Sequence, residues 1–179
     1  MKTLYLSAQD TATAATAAEI IKNGGMVFYD PEKGFQRQIH NIESTPFRTK
    51  FESALHDFSG CIAMGCISDT DPQPLLVRSH LGLFATATVG IINNAEDLVA
   101  DTFDQPGHYF MAMSNGKVNS AELVAALINR CDNLVEGIKY AQNLIEGSCT
   151  ILVLTKDSLI VARDKMGRLP VVIGKRADG

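Results

Sequence analysis

The C-terminal stretch Thr150–Gly174, TILVLTKDSLIVARDKMGRLPVVIG, decides how this chain is read. Thr150–Thr155 and Leu159–Arg163 are short runs of aliphatic residues, and the polar Lys156-Asp157-Ser158 between them has the length of a hairpin loop. Val171–Lys175 supplies a third strand. Between the second and third strands, Arg163 and Asp164 close the hairpin, Gly167 follows three residues on, and Pro170 stands before the last strand. An Arg-Asp pair at a strand end suits an ion pair that holds a turn, and it also suits a pocket wall.

Upstream lie two helical segments. Ser120 is an acceptable N-cap for a helix with Leu123, Leu127 and Ile128 on one face, and Glu122 in its first turn suits the helix dipole. A second helix is expected over about Leu134–Ile145, with Gly147 as its stop. Asp101–Lys117 mixes Gly, Pro, Asn and Met without a period and reads as loop with a short ordered piece. Ala95–Ala100 reads as a helix entered through Asn94.

Further back, Cys61–Ser68, Leu75–His80 and Leu83–Ile92 are strand-like and expected to be neighbours. Phe47, Phe51, Leu55 and Phe58 recur at helical spacing and predict a short amphipathic helix ending at Gly60, whose aromatic stripe suits a core. Met26–Tyr29 and Phe35–His40 flank Asp30-Pro31-Glu32-Lys33-Gly34, a turn-forming run, and predict a hairpin. Thr3–Ser7 suits a strand. Thr11–Lys22 suits an Ala-rich helix stopped by Gly24-Gly25. Strands, helices and strands again, with hairpins at both ends, favour a layered α+β domain over a repeating βαβ one.

The 179 residues carry 46% hydrophobic and 20% charged residues, an ordinary balance for one domain with one sizeable core. A net charge of −4 leaves no basic stripe for nucleic acid. Apolar runs such as Thr150–Leu154 fall far short of the ~20 residues of a membrane span. With no signal-like N-terminus the expected location is cytoplasmic. Cys61, Cys66, Cys131 and Cys149 form no CxxC pair and have no His at zinc spacing, so no metal or cofactor is expected and small core hydrophobes are the simplest reading. His40, His56, His80 and His108 are scattered without a positioned acid or nucleophile, which favours surface or capping roles.

Arg163, Asp164, Gly167 and Pro170, with the hairpin before them, resemble the end of the glutaminase domain in class-II, Ntn-type glutamine amidotransferases. Asn119–Arg130 and Asn133–Ala141 are similar to the helices that precede it there. Gly60–Asn94, with Gln73-Pro74 and Gly90, is similar to the block that ends in the oxyanion-hole loop. From about Met26 onward the resemblance is to the glutaminase half of amidophosphoribosyltransferase, an enzyme of purine biosynthesis. It implies a four-layer αββα Ntn-hydrolase-like sandwich of two mainly antiparallel sheets. It also implies one domain over residues 1–179, with 1–25 atypical, and a phosphoribosyltransferase domain or subunit as partner.

The same resemblance carries a chemistry that this sequence does not repeat. In the family an N-terminal Cys attacks the glutamine amide while its own α-amine, of pKa about 8, handles the proton. Here the chain begins Met1-Lys2-Thr3. An Arg that grips the substrate carboxylate is expected where Ser68, Asp69 and Thr70 stand, and Asp69 and Asp71 would repel such a group. The oxyanion-hole Asn-Gly falls on Val89 and Gly90, and losing one such donor costs about 10²–10³ in rate. The acid that binds the substrate amine is replaced by Ser120. The expected reading is a pseudoenzyme that serves as a structural or ligand-sensing domain, with a cationic or uncharged small molecule as candidate ligand and a homo-oligomer as expected assembly. The alternative is an active glutaminase supplying ammonia from a differently placed N-terminus.

Overall fold

A computed structural model describes residues 6–7, 23–45, 49–52, 62–68, 71–103, 110, 113–114 and 116–174. In chain order these form β1 (Leu6–Ser7), β2 (Asn23–Asp30), β3 (Gly34–Asn41), β4 (Ile62–Ser68), β5 (Leu75–Ser79), β6 (Gly82–Ile92), α1 (Ala95–Phe103), β7 (Met113–Ser114), β8 (Lys117–Val118), α2 (Ser120–Ile128), α3 (Leu134–Leu144), β9 (Gly147–Leu154), β10 (Leu159–Ala162) and β11 (Val172–Ile173).

Two antiparallel sheets stack. One has the order β10-β9-β6-β5 and the other β3-β2-β4. The alternation of β6 and β9 explains the stack, because successive side chains leave a strand on opposite faces. Phe84, Cys149, Ile151 and Val153 join a core with the helices, while Ala85, Ala87, Leu152 and Leu154 meet Val27 and Met64 of the other sheet. Both faces of the four-stranded sheet are therefore buried. The α2 helix is apolar nearly all round, with Ala121, Leu123, Val124, Ala125, Leu127 and Ile128 buried, since it lies between that sheet and its helical neighbours.

The three-stranded sheet also has two faces. Val27 faces the other sheet, so Phe28 and, across the β2–β3 register, His40 face away from it. There the His40 ring meets Phe51 edge-on at 4.8 Å, and Phe51, in the helical residues 49–52, is fully buried. This outer contact continues the α+β sandwich on its far side. Phe51 is thus a core residue, as its aromatic stripe suggests. Phe47, Leu55 and Phe58 lie outside the described residues, as do Thr11–Lys22, His56 and His108.

Several expectations need correction. Gly24-Gly25, read as punctuation after a helix, lie inside β2. The β4 strand pairs with β2 and not with β5, so the three strand-like runs from Cys61 to Ile92 divide between two sheets. Similarly, β11 leaves the C-terminal hairpin and pairs with β1. The N-cap of α2 is Asn119, whose side chain accepts from the Ala121 N–H at 2.9 Å, and Ser120 is the first helical residue. Such a cap is worth about 1 kcal/mol. Asn94 does not cap α1 with its side chain. Its amide instead clasps the end of α3, donating to the Leu144 carbonyl and accepting from the Glu146 N–H, both at 2.9 Å. The α1 helix also runs on to Phe103, inside the segment read as loop, and Arg130 reaches its last turn through Asp101 at 2.7 Å and Thr102 at 2.9 Å.

Candidate functional site

Four residues between the two sheets organise the site. From Asp71 to Pro74 the chain forms a strap that is held from several sides. The Asp71 N–H donates to Ser68 Oγ at 3.1 Å, and Asn119 Nδ2 donates to the Pro72 carbonyl at 3.2 Å. Gln73 Oε1 accepts from the Thr88 N–H at 2.6 Å, and Arg37 Nε donates to the Pro74 carbonyl at 2.6 Å. The strap lies against the backbone of β2 at Gly25, where any Cβ would stand 1.8 Å from the Gln73 carbonyl oxygen.

The strap delivers Asp71 to the start of α2. Asp71 Oδ2 accepts from the Ser120 N–H at 3.0 Å and from Ser120 Oγ at 2.7 Å. Asp71 is 6% exposed, and that exposed remainder faces a cleft of about 790 Å³ between the ends of β6, the starts of α1 and α2, and β8. Gly90, Ile91, Ser120, Glu96, Asp97 and Lys117 are among its lining residues. Among the described lining residues three side chains are carboxylates, one is an ammonium and none is a guanidinium.

The structure therefore brings together three of the positions singled out from sequence. Gly90 and Ser120 line one cleft, and Ser68 is joined to it through Asp71. Val89 is not among the lining residues; by alternation it shares the face of Ala85 and Ala87. Asp69 and Thr70 lie outside the described residues. Gly90 is fixed by its backbone: φ is 133°, and a Cβ would collide with the Ser148 carbonyl at 1.8 Å. Asp71 as a positioned acid was not legible from the sequence, because its partner Ser120 is 49 residues away. The signal that existed was Asn119 directly before an apolar helix, a cap signature pointing to a structured helix start.

Arg163, Asp164, Gly167 and Pro170 shape the loop between β10 and β11. Among the described residues no ion pair joins Arg163 to Asp164; each holds the turn through backbone groups. Arg163 donates to the carbonyls of Gly167 at 2.6 Å and Leu169 at 2.9 Å. Asp164 Oδ2 accepts from the Arg168 N–H at 2.6 Å, and Gly167 has a φ of 68°. Burial alone would raise the Asp164 carboxyl, but backbone N–H groups of Arg168, Met166, Leu169 and Cys149 outweigh it and hold the group below its ordinary value. Leu169 from this loop stands 3.1 Å from the Cβ position of Gly90, so the loop backs the cleft.

Two thiols lie close by, and both are poor nucleophiles. Burial, with the Asp71 charge as a smaller cause, pushes Cys66 up to about 11, and burial with Asp164 pushes Cys149 up to about 12. Thiolate is the reactive form, so alkylation by iodoacetamide at pH 8 is expected to leave both unmodified until the chain unfolds, as peptide mass mapping would show. Since both folded values lie above the unfolded 9.0, these thiols also favour folding below pH 9 and lose that contribution as pH rises through 11. His40 Nε2 meets Gln38 Oε1 at 3.4 Å, and His80 Nε2 meets the Cys131 carbonyl at 3.0 Å. Among the described residues no cluster of His, Cys, Asp and Glu could hold a metal, and no helix is long and apolar enough to cross a membrane.

The stacked antiparallel sheets, the buried α2 helix and the cleft at the end of β6 define an Ntn-hydrolase-type α+β sandwich of the class-II glutamine amidotransferase kind. The chain is related to amidophosphoribosyltransferases. It is 32% identical over 103 residues to that of Methanocaldococcus jannaschii, which is 58% of this chain and 21% of the relative. It is 34% identical over 109 residues to that of Bacillus subtilis, which is 59% of this chain and 22% of the relative. Among solved structures it is similar to the B. subtilis glutamine phosphoribosylpyrophosphate amidotransferase in complex with ADP and GMP. That match has a TM-score of 0.68 and 26% identity, covering 84% of this chain and 32% of the other. A structure described as the allosteric regulatory enzyme of purine biosynthesis matches with a TM-score of 0.68 and 25% identity, over 87% of this chain and 36% of that one. No protein-family profile matches. The chain spans about one fifth of the length of the curated relatives it matches.

Proposed function

We propose that this chain is a glutaminase-type domain without glutaminase activity, acting as a structural or ligand-sensing unit. The observation that carries the reading is the Asp71 carboxylate on Ser120 in the cleft beside Gly90, with Glu96 and Asp97 nearby. Among the described residues, a substrate carboxylate entering this cleft meets three negative groups and no guanidinium to engage it through two hydrogen bonds. The thiols of Cys66 and Cys149 add no nucleophile, since burial keeps them protonated. Residues Ser68, Asp69, Thr70, Val89, Gly90 and Ser120 are on this reading the altered counterparts of a glutamine pocket. We place the domain at 1–179, in the cytoplasm, as a homo-oligomer that works beside a phosphoribosyltransferase domain or subunit in purine biosynthesis.

Ammonia release from glutamine, measured together with the N-terminal mass of the same preparation, tests it. The expected result is no release above the spontaneous rate. Turnover with Met1 in place would overturn the reading. A second reading, an active glutaminase with a different N-terminus, draws on Gly90, whose backbone geometry suits an oxyanion-hole loop. It requires turnover once a terminal Cys is supplied.

A further inference from the structure

The cleft holds a feature that a collapsed, disused pocket would not. Asp71 is 6% exposed, yet its carboxylate borders an open space of about 790 Å³. Oδ2 is committed to Ser120, while Oδ1 accepts no hydrogen bond among the described residues. A carboxylate withdrawn from water is costly unless its remaining lone pairs find donors. The start of α2 offers little to an anion, because the Ser120 N–H is taken by Asp71 and the Ala121 N–H by Asn119. Glu96 and Asp97, exposed on the first turn of α1, add two negative charges to the cleft beside Asp71, against one ammonium, that of Lys117, among the described lining residues.

We propose that this cleft binds a small molecule through a primary ammonium group seated on Asp71 Oδ1, and that it disfavours ligands bearing a carboxylate. The inference rests on the non-catalytic reading above and names its ligand class. Ser120 acts as a positioning residue, because its two hydrogen bonds orient the Asp71 carboxylate. Ile91 and Ile92 supply apolar wall for a short alkyl chain. Fit of a chain with a charged end follows from the cleft's makeup, a few convergent polar groups on an apolar wall.

Calorimetric titration of the full chain with putrescine, which carries ammonium groups and no carboxylate, tests the inference, with succinate and glutamine as comparison probes. Putrescine should saturate with a Kd of roughly 0.1–1 mM. Asp71→Asn should weaken it at least tenfold while circular dichroism shows an intact fold. The exposed pair Glu96→Gln with Asp97→Asn should weaken it severalfold and flatten its dependence on salt. If Asp71→Asn does not fold, the surface pair carries the test. Absence of saturation by about 10 mM, unchanged affinity in the folded variants, or equally tight binding of succinate would overturn the inference. Ammonia release is scored separately: turnover of glutamine sinks the non-catalytic reading, whereas a silent chain that ignores putrescine sinks this inference alone.

Discussion

Gly25→Ala is expected to lower stability by at least about 3 kcal/mol, the upper range for overpacking, because the added methyl meets backbone and not a movable side-chain tip. It would lie 1.8 Å from the Gln73 carbonyl oxygen and 2.9 Å from Pro74 Cδ. The strap has no slack with which to retreat, since Thr88, Asn119 and Arg37 each hold it by a hydrogen bond. Urea unfolding should show a lower midpoint with an unchanged slope. The same substitution should weaken putrescine binding, because the strap carries Asp71. A midpoint within error of the parent would mean that the strap does not lie against β2 at this point.

Asp164→Ala should cost about 3 kcal/mol, since it leaves backbone N–H groups of Arg168, Met166, Leu169 and Cys149 facing an empty acceptor position in a site that is 4% exposed. The pH dependence has a definite sign. The folded carboxyl lies below the ordinary 3.8, so the unfolded chain binds the proton more readily. The stabilisation is present above pH 3.8 and lost as pH falls through the depressed folded value. Unfolding free energies measured from pH 7 down to pH 3 should therefore fall more steeply in the parent than in Asp164→Asn. Parallel curves would show that Asp164 does not titrate differently on folding.

Much of the fold was legible in local patterns. The hairpins at Met26–His40 and Thr150–Arg163 form as their turn residues suggest. Asp30 Oδ1 accepts from the N–H groups of Glu32 and Lys33, and Thr155 Oγ1 accepts from those of Asp157 and Ser158. Partners across the sequence were not legible. Nothing local distinguishes a β4 that pairs with β5 from one that pairs with β2, because hydrogen bonding along a ladder is indifferent to sequence and the choice is made by which face must be buried. Gly24-Gly25 resembles a helix stop for the same reason that it suits β2: a missing Cβ serves a helix end and a close backbone approach alike. At the site, Ser120 was singled out from the sequence, but the arrival of Asp71 from another segment needed three-dimensional proximity.

The alternation of β6 has a consequence for how such a chain can diverge. Phe84 belongs to the helix-side core and Ala85 to the sheet-side core, and this continues through Ala87 along a strand of 11 residues. Inserting or deleting one residue near its start would turn every later side chain to the opposite face and spoil two interiors at once. Length here is thus constrained by two interiors, and at the strand's far end Gly90 is constrained as well, because a Cβ there would meet the Ser148 carbonyl.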